Sequence, residues 1–168
     1  AERRVALVTA AAGAGIGAAI ARRLAADGYD VVITDAHERR CGAFASQLAD
    51  EHGREFLSMP LDVTDFDAVG AVTRAVVEQR GRIDALVNNA GWSRIEPVAE
   101  MTPDTWLRCL DVDLNGTFSG LYTRVTPRSP AKYLHWWRRR ESNPRRQVST
   151  RPPRTSEHPR RAACVGGI

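Results

Sequence analysis

From Val5 to about Arg124, short apolar runs alternate with helix-length amphipathic stretches, and this alternation narrows the possible folds more than any other feature. Val5 to Thr9 is an apolar strand candidate of the kind buried on both faces in a parallel sheet. Ile16, Ile20 and Leu24 recur at four-residue spacing, which marks a helix that Gly28 stops. Val31 to Thr34 is the next strand, ending at Asp35, and Cys41, Phe44 and Leu48 mark a helix closed by Gly53. Phe56 to Leu61 gives a third strand. Thr64-Asp-Phe-Asp67 reads as a capping box with Asp in its last place, and Val69, Val72 and Val76 carry that helix to Gly81. Ile83 to Val87 is a fourth strand, ending in Asn88-Asn-Ala-Gly91. Thr102-Pro103 then offers an N-cap and a proline at the first helical position. Leu107, Leu110, Leu114, Phe118 and Leu121 keep helical spacing beyond it. Such alternation builds βαβ units with right-handed crossovers. The fold class is therefore α/β, a Rossmann-like doubly wound parallel sheet, expected to be incomplete in its carboxyl-terminal half because no further strand is visible. That leaves the fourth strand's edge open and one face of the last helix short of packing partners, with low stability expected.

The composition changes at residue 129. Residues 1–128 carry 14 Lys+Arg against 18 Asp+Glu, whereas residues 129–168 carry 10 against 2, so the net charge of +4 comes from the tail. The tail has five prolines and few aliphatic residues, too little apolar surface to offset ordering at about 1–2 kcal/mol per residue. It is expected to be mostly disordered. Arginine- and proline-rich sequence also results when a GC-rich gene is read out of frame, so a truncated or frameshifted product is the expectation. Arg138 to Arg140, Arg145, Arg146, Arg160 and Arg161, near Trp136 and Trp137, could bind nucleic acid through phosphates and stacking. No nucleic-acid fold accompanies them, and a solvated tail is the better reading. Cys41, Cys109 and Cys164 lie too far apart for a disulfide framework or a zinc site, so a reducing cytoplasm is expected. The uncharged run Val5 to Ala21 follows Arg3 and Arg4 as a signal peptide would, but its glycines and its length argue against a leader or a membrane span.

The turn TAAAGAGIG, Thr9 to Gly17, can be spelled two ways. From Gly13 it reads G-A-G-I-G-A, a match to G-x-G-x-x-G/A. Counted back from Gly17, it fits another glycine turn with one residue too many. Either way, glycines after a strand let the backbone approach a pyrophosphate, and the next helix points its free N–H groups and positive dipole end at that anion. Asp35 ends the second strand, where a carboxylate can accept hydrogen bonds from both hydroxyls of an adenosine ribose and repel a 2′-phosphate. NAD is therefore expected rather than NADP, with Arg39 and Arg40 as the residues that would admit NADP.

LVTAAAGAGIGAAIA, then Asp35, LDVTD (Leu61 to Asp65), LVNNAG (Leu86 to Gly91) and DVDLNGTF (Asp111 to Phe118) together resemble the short-chain dehydrogenases/reductases over about residues 4–128. The family turn is T-G-x-x-x-G-x-G, which makes Gly15-Ile16-Gly17 its close, puts Ala10 in the first glycine's place and leaves Gly13 to absorb the extra length. Alanine tolerates positive φ poorly, so a weaker phosphate grip is expected. The resemblance implies that Gly13, Gly15, Ile16 and Gly17 hold the phosphates and that Asp62 and Val63 flank the adenine. It also implies that Asn89, Ala90 and Gly91 pass the cofactor ribose and that Asn115 helps hold a water of the proton relay. From the residues alone, Asp62 reads as a loop or cap residue, Asn89 to Gly91 as a strand-ending turn, and Asn115-Gly116 as a hairpin signal that the surrounding leucine spacing opposes.

The family's proton donor is a tyrosine tuned by a lysine four residues later, beside a serine that polarises the substrate oxygen. No Tyr-x-x-x-Lys occurs: Ile33, Thr126 and Trp137 follow the three tyrosines at that distance, and the single lysine is Lys132. Ser119, Ser129 and Ser142 read as helix surface or loop. Trp92 and Arg94 read as pocket border or surface packing. The resemblance thus implies an NAD-dependent alcohol dehydrogenase or ketoreductase with impaired turnover, a non-catalytic dinucleotide-binding module being the rival reading. An alcohol or ketone substrate is implied only for a full-length form. Association with further copies is left open.

Overall fold

A computed structural model describes residues 2–125, so the expectations for the basic tail lie outside the described residues. The elements are β1 (Val5–Val8), α1 (Ile16–Ala26), β2 (Asp30–Asp35), α2 (Glu38–His52), β3 (Ser58–Pro60), α3 (Phe66–Arg80), β4 (Ala85–Val87), α4 (Pro103–Cys109), a π-helical turn (Leu110–Asn115) and α5 (Gly116–Val125). All strand pairs are parallel, in the order β3-β2-β1-β4. The chain winds outward from β1 to β3 and then crosses to β4 on the other side of β1. A switch point therefore opens at the carboxyl ends of β1 and β4, where doubly wound sheets bind ligands.

Side chains of the inner strands alternate between two cores, as a period of two requires. Val8, Val31 and Ile33 pack with Ala18 and Ala21 of α1 and with Phe44 and Leu48 of α2. Val5, Leu7 and Val32 pack on the other face with Val69, Val72 and Val76 of α3. Each fully buried Val, Leu or Ile contributes about 1.5–3 kcal/mol, so the two layers fix the register of β1 and β2. The left-handed Gly53 and Gly81 close α2 and α3 as expected.

Local readings needed correction in four places. The buried face of α1 is Gly17, Ala18, Ala21 and Ala25, while Ile16 is 75% exposed and Ile20 and Leu24 only flank the core. Small residues let the start of this helix close on the sheet, and large ones are pushed to its sides. The cap of α3 is Asp65, which accepts from Ala68 N at 2.9 Å, because the Thr64 hydroxyl donates instead to Asp62 Oδ1 at 2.7 Å. Strands β3 and β4 are shorter than the apolar runs that mark them; Phe56, Leu61 and Ile83 are buried from the flanking loops.

The last helix starts as expected, with Thr102 Oγ1 accepting from Thr105 N at 3.1 Å and Pro103 in the first turn. It is not one continuous α-helix, however. Gly116 N bonds Asp111 O, five residues back, across the π-helical turn. That turn shifts the register of the leucine stripe, and Leu107, Leu114, Phe118 and Leu121 stay exposed. Gly116 lies against Val63 and Gly120 against Asn88, where any Cβ would intrude, so α5 runs close along the strand ends.

Candidate functional site

The glycine turn is tied down from both sides. Thr9, 4% exposed, receives at Oγ1 the backbone N–H of Asn89 (2.9 Å) and of Ala90 (3.0 Å), and donates its own proton to Val87 O at 3.3 Å. Asn89 Nδ2 answers with bonds to Thr9 O and Ala10 O, both at 3.1 Å. From β2, Thr34 O accepts from Ala11 N at 2.8 Å. The Thr9 hydroxyl and both N–H groups of Asn89 Nδ2 are thus used in joining the end of β1 to the end of β4.

Within the turn, Ala10 takes the left-handed conformation (φ 49°) that the first family glycine would occupy, and Gly13 has φ 138°. A left-handed alanine costs about 1–2 kcal/mol. Glycine recovers that strain but loses about 0.5–1 kcal/mol through the freer unfolded chain. Ala10→Gly is therefore expected to raise stability by about 0.5–1 kcal/mol in urea denaturation. Around Gly13 and Gly15 there is open space, whereas Gly17 is enclosed by Ala10 O and Asn89 Nδ2. Gly15 begins α1 with no side-chain cap, and no acidic residue lies in the first turn. The first N–H groups of α1 are left for an anion. Ile16 stands exposed at this mouth.

Asp35 reaches the same rim with its side chain only 6% exposed. Its Oδ1 accepts from His37 N at 3.0 Å and from Arg40 Nη2 at 2.8 Å. No hydrogen bond from the described residues reaches Oδ2. Behind it, the buried Cys41 thiol points to Asp35 O (3.7 Å) and Met59 O (3.6 Å). Burial first, and then the charge of Asp35, push its pKa up to about 11, so it braces β2 as a neutral thiol.

Asp62 is exposed and forms a turn with Thr64, whose N and Oγ1 both donate to Asp62 Oδ1 (2.9 and 2.7 Å). Val63 is buried in the α3-side core. Asn89, Ala90 and Gly91 do form a strand-ending turn, with Asn89 directed at the glycine turn and Ala90 packed against that core. Asn115 is helical, not part of a hairpin, and its Nδ2 donates to Asp111 Oδ1 at 2.6 Å. Ser119 is not on the surface: it is 2% exposed, because α5 turns it inward, and its hydroxyl donates to Asn115 O at 2.8 Å. Arg108 stacks on Trp92 (4.4 Å) and Arg94 pairs with Glu96 (3.2 Å), which is surface packing.

Three contributions escaped the sequence reading: Thr9 as the hub of the turn, the Asp35–Arg40 pair, and Asp113. Asp113 Oδ1 accepts Trp92 N at 2.8 Å and lies beside Gly91, so it ties the π-helical turn to the strand-ending turn. The one available signal was Thr9, a polar residue closing an apolar strand. Among the described residues no group of three His, Cys, Asp or Glu could hold a metal, and no helix is long and apolar enough to cross a membrane.

Comparison with known proteins agrees with this geometry. The (5R,7aS)-5-hydroxy-7a-methyl-1-oxo-2,3,5,6,7,7a-hexahydro-1H-indene-carboxyl-CoA reductase of Mycobacterium tuberculosis is 48% identical over 117 residues, which are 70% of this chain and 45% of that protein. The crystal structure of a short chain dehydrogenase from Mycobacterium smegmatis superposes with a TM-score of 0.70 at 45% identity, over 73% of this chain and 51% of that one. An alcohol dehydrogenase from Thermococcus sibiricus, complexed with 5-hydroxy-NADP, gives 0.70 at 32% identity, over 74% and 52%. The chain spans about half the length of the relatives it matches. The short chain dehydrogenase family model matches residues 4–127, the span that carries the clamped glycine turn and the four parallel strands, and this chain belongs to that family.

Proposed function

We propose that the switch-point rim binds NAD and that the chain is the cofactor portion of an NAD-dependent alcohol dehydrogenase or ketoreductase. The observation that carries this reading is the buried Asp35 carboxylate, with Oδ2 open, on the same rim as the uncapped start of α1. The open space at Gly13 and Gly15 fits a pyrophosphate, and Asp35 Oδ2 fits as an acceptor for ribose hydroxyls. Asp62 and Val63 would border the adenine, and Asn89, Ala90 and Gly91 the nicotinamide-side ribose. Asn115 would contribute to the proton relay. When bound, the nicotinamide supplies or accepts the hydride; these residues bind and orient it.

Proton transfer to a carbonyl needs a positioned acid, and no Tyr-x-x-x-Lys lies in these 168 residues. We therefore propose that these residues alone turn over little. This also favours the second reading, a dinucleotide-binding module without catalysis. Asp35→Ala is expected to weaken NAD binding about 10- to 100-fold, the worth of a charge-assisted hydrogen bond, in calorimetric titration without substrate. Unchanged affinity in a folded variant would remove the ribose role of Asp35.

A further inference from the structure

The amino-terminal rim of the sheet, opposite the glycine turn, carries a basic hollow that dinucleotide binding leaves unused. A cavity of about 600 Å³ opens there, lined by Arg3, by Asp30 at the start of β2, and by Gln79 and Arg80 at the end of α3. That volume suits a small ligand. We propose that this hollow binds a small phosphate monoester through Arg3, Gln79 and Arg80.

The charges around the hollow do not balance. Asp30 meets two guanidiniums, with Arg80 Nε 2.7 Å from Oδ2 and Arg54 Nη1 3.9 Å from Oδ1. Neither contact is a hydrogen bond: the Arg80 Nε proton and Asp30 Oδ1 are both left without one. Arg3 has no carboxylate partner among the described residues. Burial first, and then the charge of Arg3, hold the Arg54 guanidinium below its ordinary pKa, so these two cations lie close enough to repel. Three guanidiniums thus share one carboxylate. The other charges of the rim offset one another, since Arg82 Nε bonds Asp84 at 2.9 Å, Glu2 on the cavity wall is drawn to Arg82 at 4.0 Å, and Arg4 lies over Tyr29 near Asp84. The carboxyl ends of α1, where Arg54 Nη2 bonds Ala25 O at 3.4 Å, and of α3 each add about half a negative charge. An excess of about one positive charge remains, which a bound anion neutralises. Arg3 approaches from the chain leading into β1 and Gln79 and Arg80 from α3, so donors come from two sides. A terminal phosphate offers them three free oxygens and accepts a guanidinium fork, whereas a carboxylate offers two. The pyrophosphate of a dinucleotide has two free oxygens on each phosphorus, so it is not the ligand of this rim.

The test is titration of the full chain with glycerol 3-phosphate and with inorganic phosphate, followed by backbone amide chemical shifts at about pH 7.5, where a monoester is dianionic. Sodium chloride holds the ionic strength constant. Saturable shifts are expected at Arg3, Asp30, Arg80 and Gly81, with half-saturation at roughly 1–10 mM, as suits partly exposed charge pairs. Arg3→Gln leaves the Asp30 pairs in place and is expected to weaken binding about fivefold, and Arg3→Lys to recover part of that loss by restoring the charge without the fork. Arg80→Gln should weaken binding as much, if its spectrum stays dispersed. Tighter binding of glycerol 3-phosphate than of inorganic phosphate supports a monoester; the reverse order overturns that choice of ligand. The site itself is overturned if these amides respond to phosphate no more than to chloride, or if a folded Arg3→Gln variant binds as the wild type does. None of these outcomes depends on whether NAD binds at the other rim.

Discussion

Gly17→Ala is expected to abolish measurable dinucleotide binding and to lower stability by about 2–3 kcal/mol, the cost of forcing a methyl into filled space. At an ordinary helical position the same change would stabilise by about 0.5–1 kcal/mol, so even the sign is informative. The added Cβ would fall on Ala10 O and 2.5 Å from Asn89 Nδ2. Neither can retreat cheaply. Ala10 is already strained at φ 49°, and Asn89 is held by its bonds to Thr9 O and Ala10 O. Relief would come from lifting the start of α1 off the sheet, which moves the N–H groups meant for the pyrophosphate. Gly15→Ala is the control. Its Cβ would meet nothing within 4 Å and its φ is −90°, so a stability change within about 0.5 kcal/mol is expected. Urea denaturation with cofactor titration of both variants separates a steric role for Gly17 from a general dislike of alanine in the turn.

Thr9→Val should be nearly as damaging although it preserves shape. The hydroxyl accepts two backbone N–H groups, those of Asn89 and Ala90, and no other acceptor among the described residues takes them. Stranding a buried donor costs about 1–3 kcal/mol, and both sites are only partly buried, so a loss of about 2–3 kcal/mol is expected. Thr9→Ser keeps the hydroxyl and should lose only about 1 kcal/mol with its methyl. If valine and serine variants melt alike, the hub is packing rather than hydrogen bonding.

Much of the sheet was legible because its causes are local. The apolar run of β1, the end of β2 at Asp35, the stops at Gly53 and Gly81 and the Thr102-Pro103 start all follow from residues within a few positions of one another. The buried face of α1 was not, since spacing marks which residues share a side but not how near the sheet will come; closeness selected alanine over isoleucine. The shift of the α3 cap from Thr64 to Asp65 turned on a competition between Asp62 and a helix end for one hydroxyl. The π-helical turn left no mark in a leucine pattern that fits an α-helix. At the candidate site, the glycines and Asp35 could be read from sequence. Their supports could not, because Thr9 and Asn89 are 80 residues apart and Asp113 meets Trp92 from 21 residues away.

The central claim is that the clamped turn between β1 and β4 grips a nicotinamide dinucleotide, and the most direct measurement is an NADH titration of the isotope-labelled full chain followed by backbone amide chemical shifts. Saturable shifts are expected at residues 10–17, at Asp35 and at residues 89–91. Arg54, Arg80 and Gly81, at the opposite rim of the sheet, should stay still. A well-dispersed spectrum that does not respond to NADH or NAD, or responds only at that opposite rim, would contradict it.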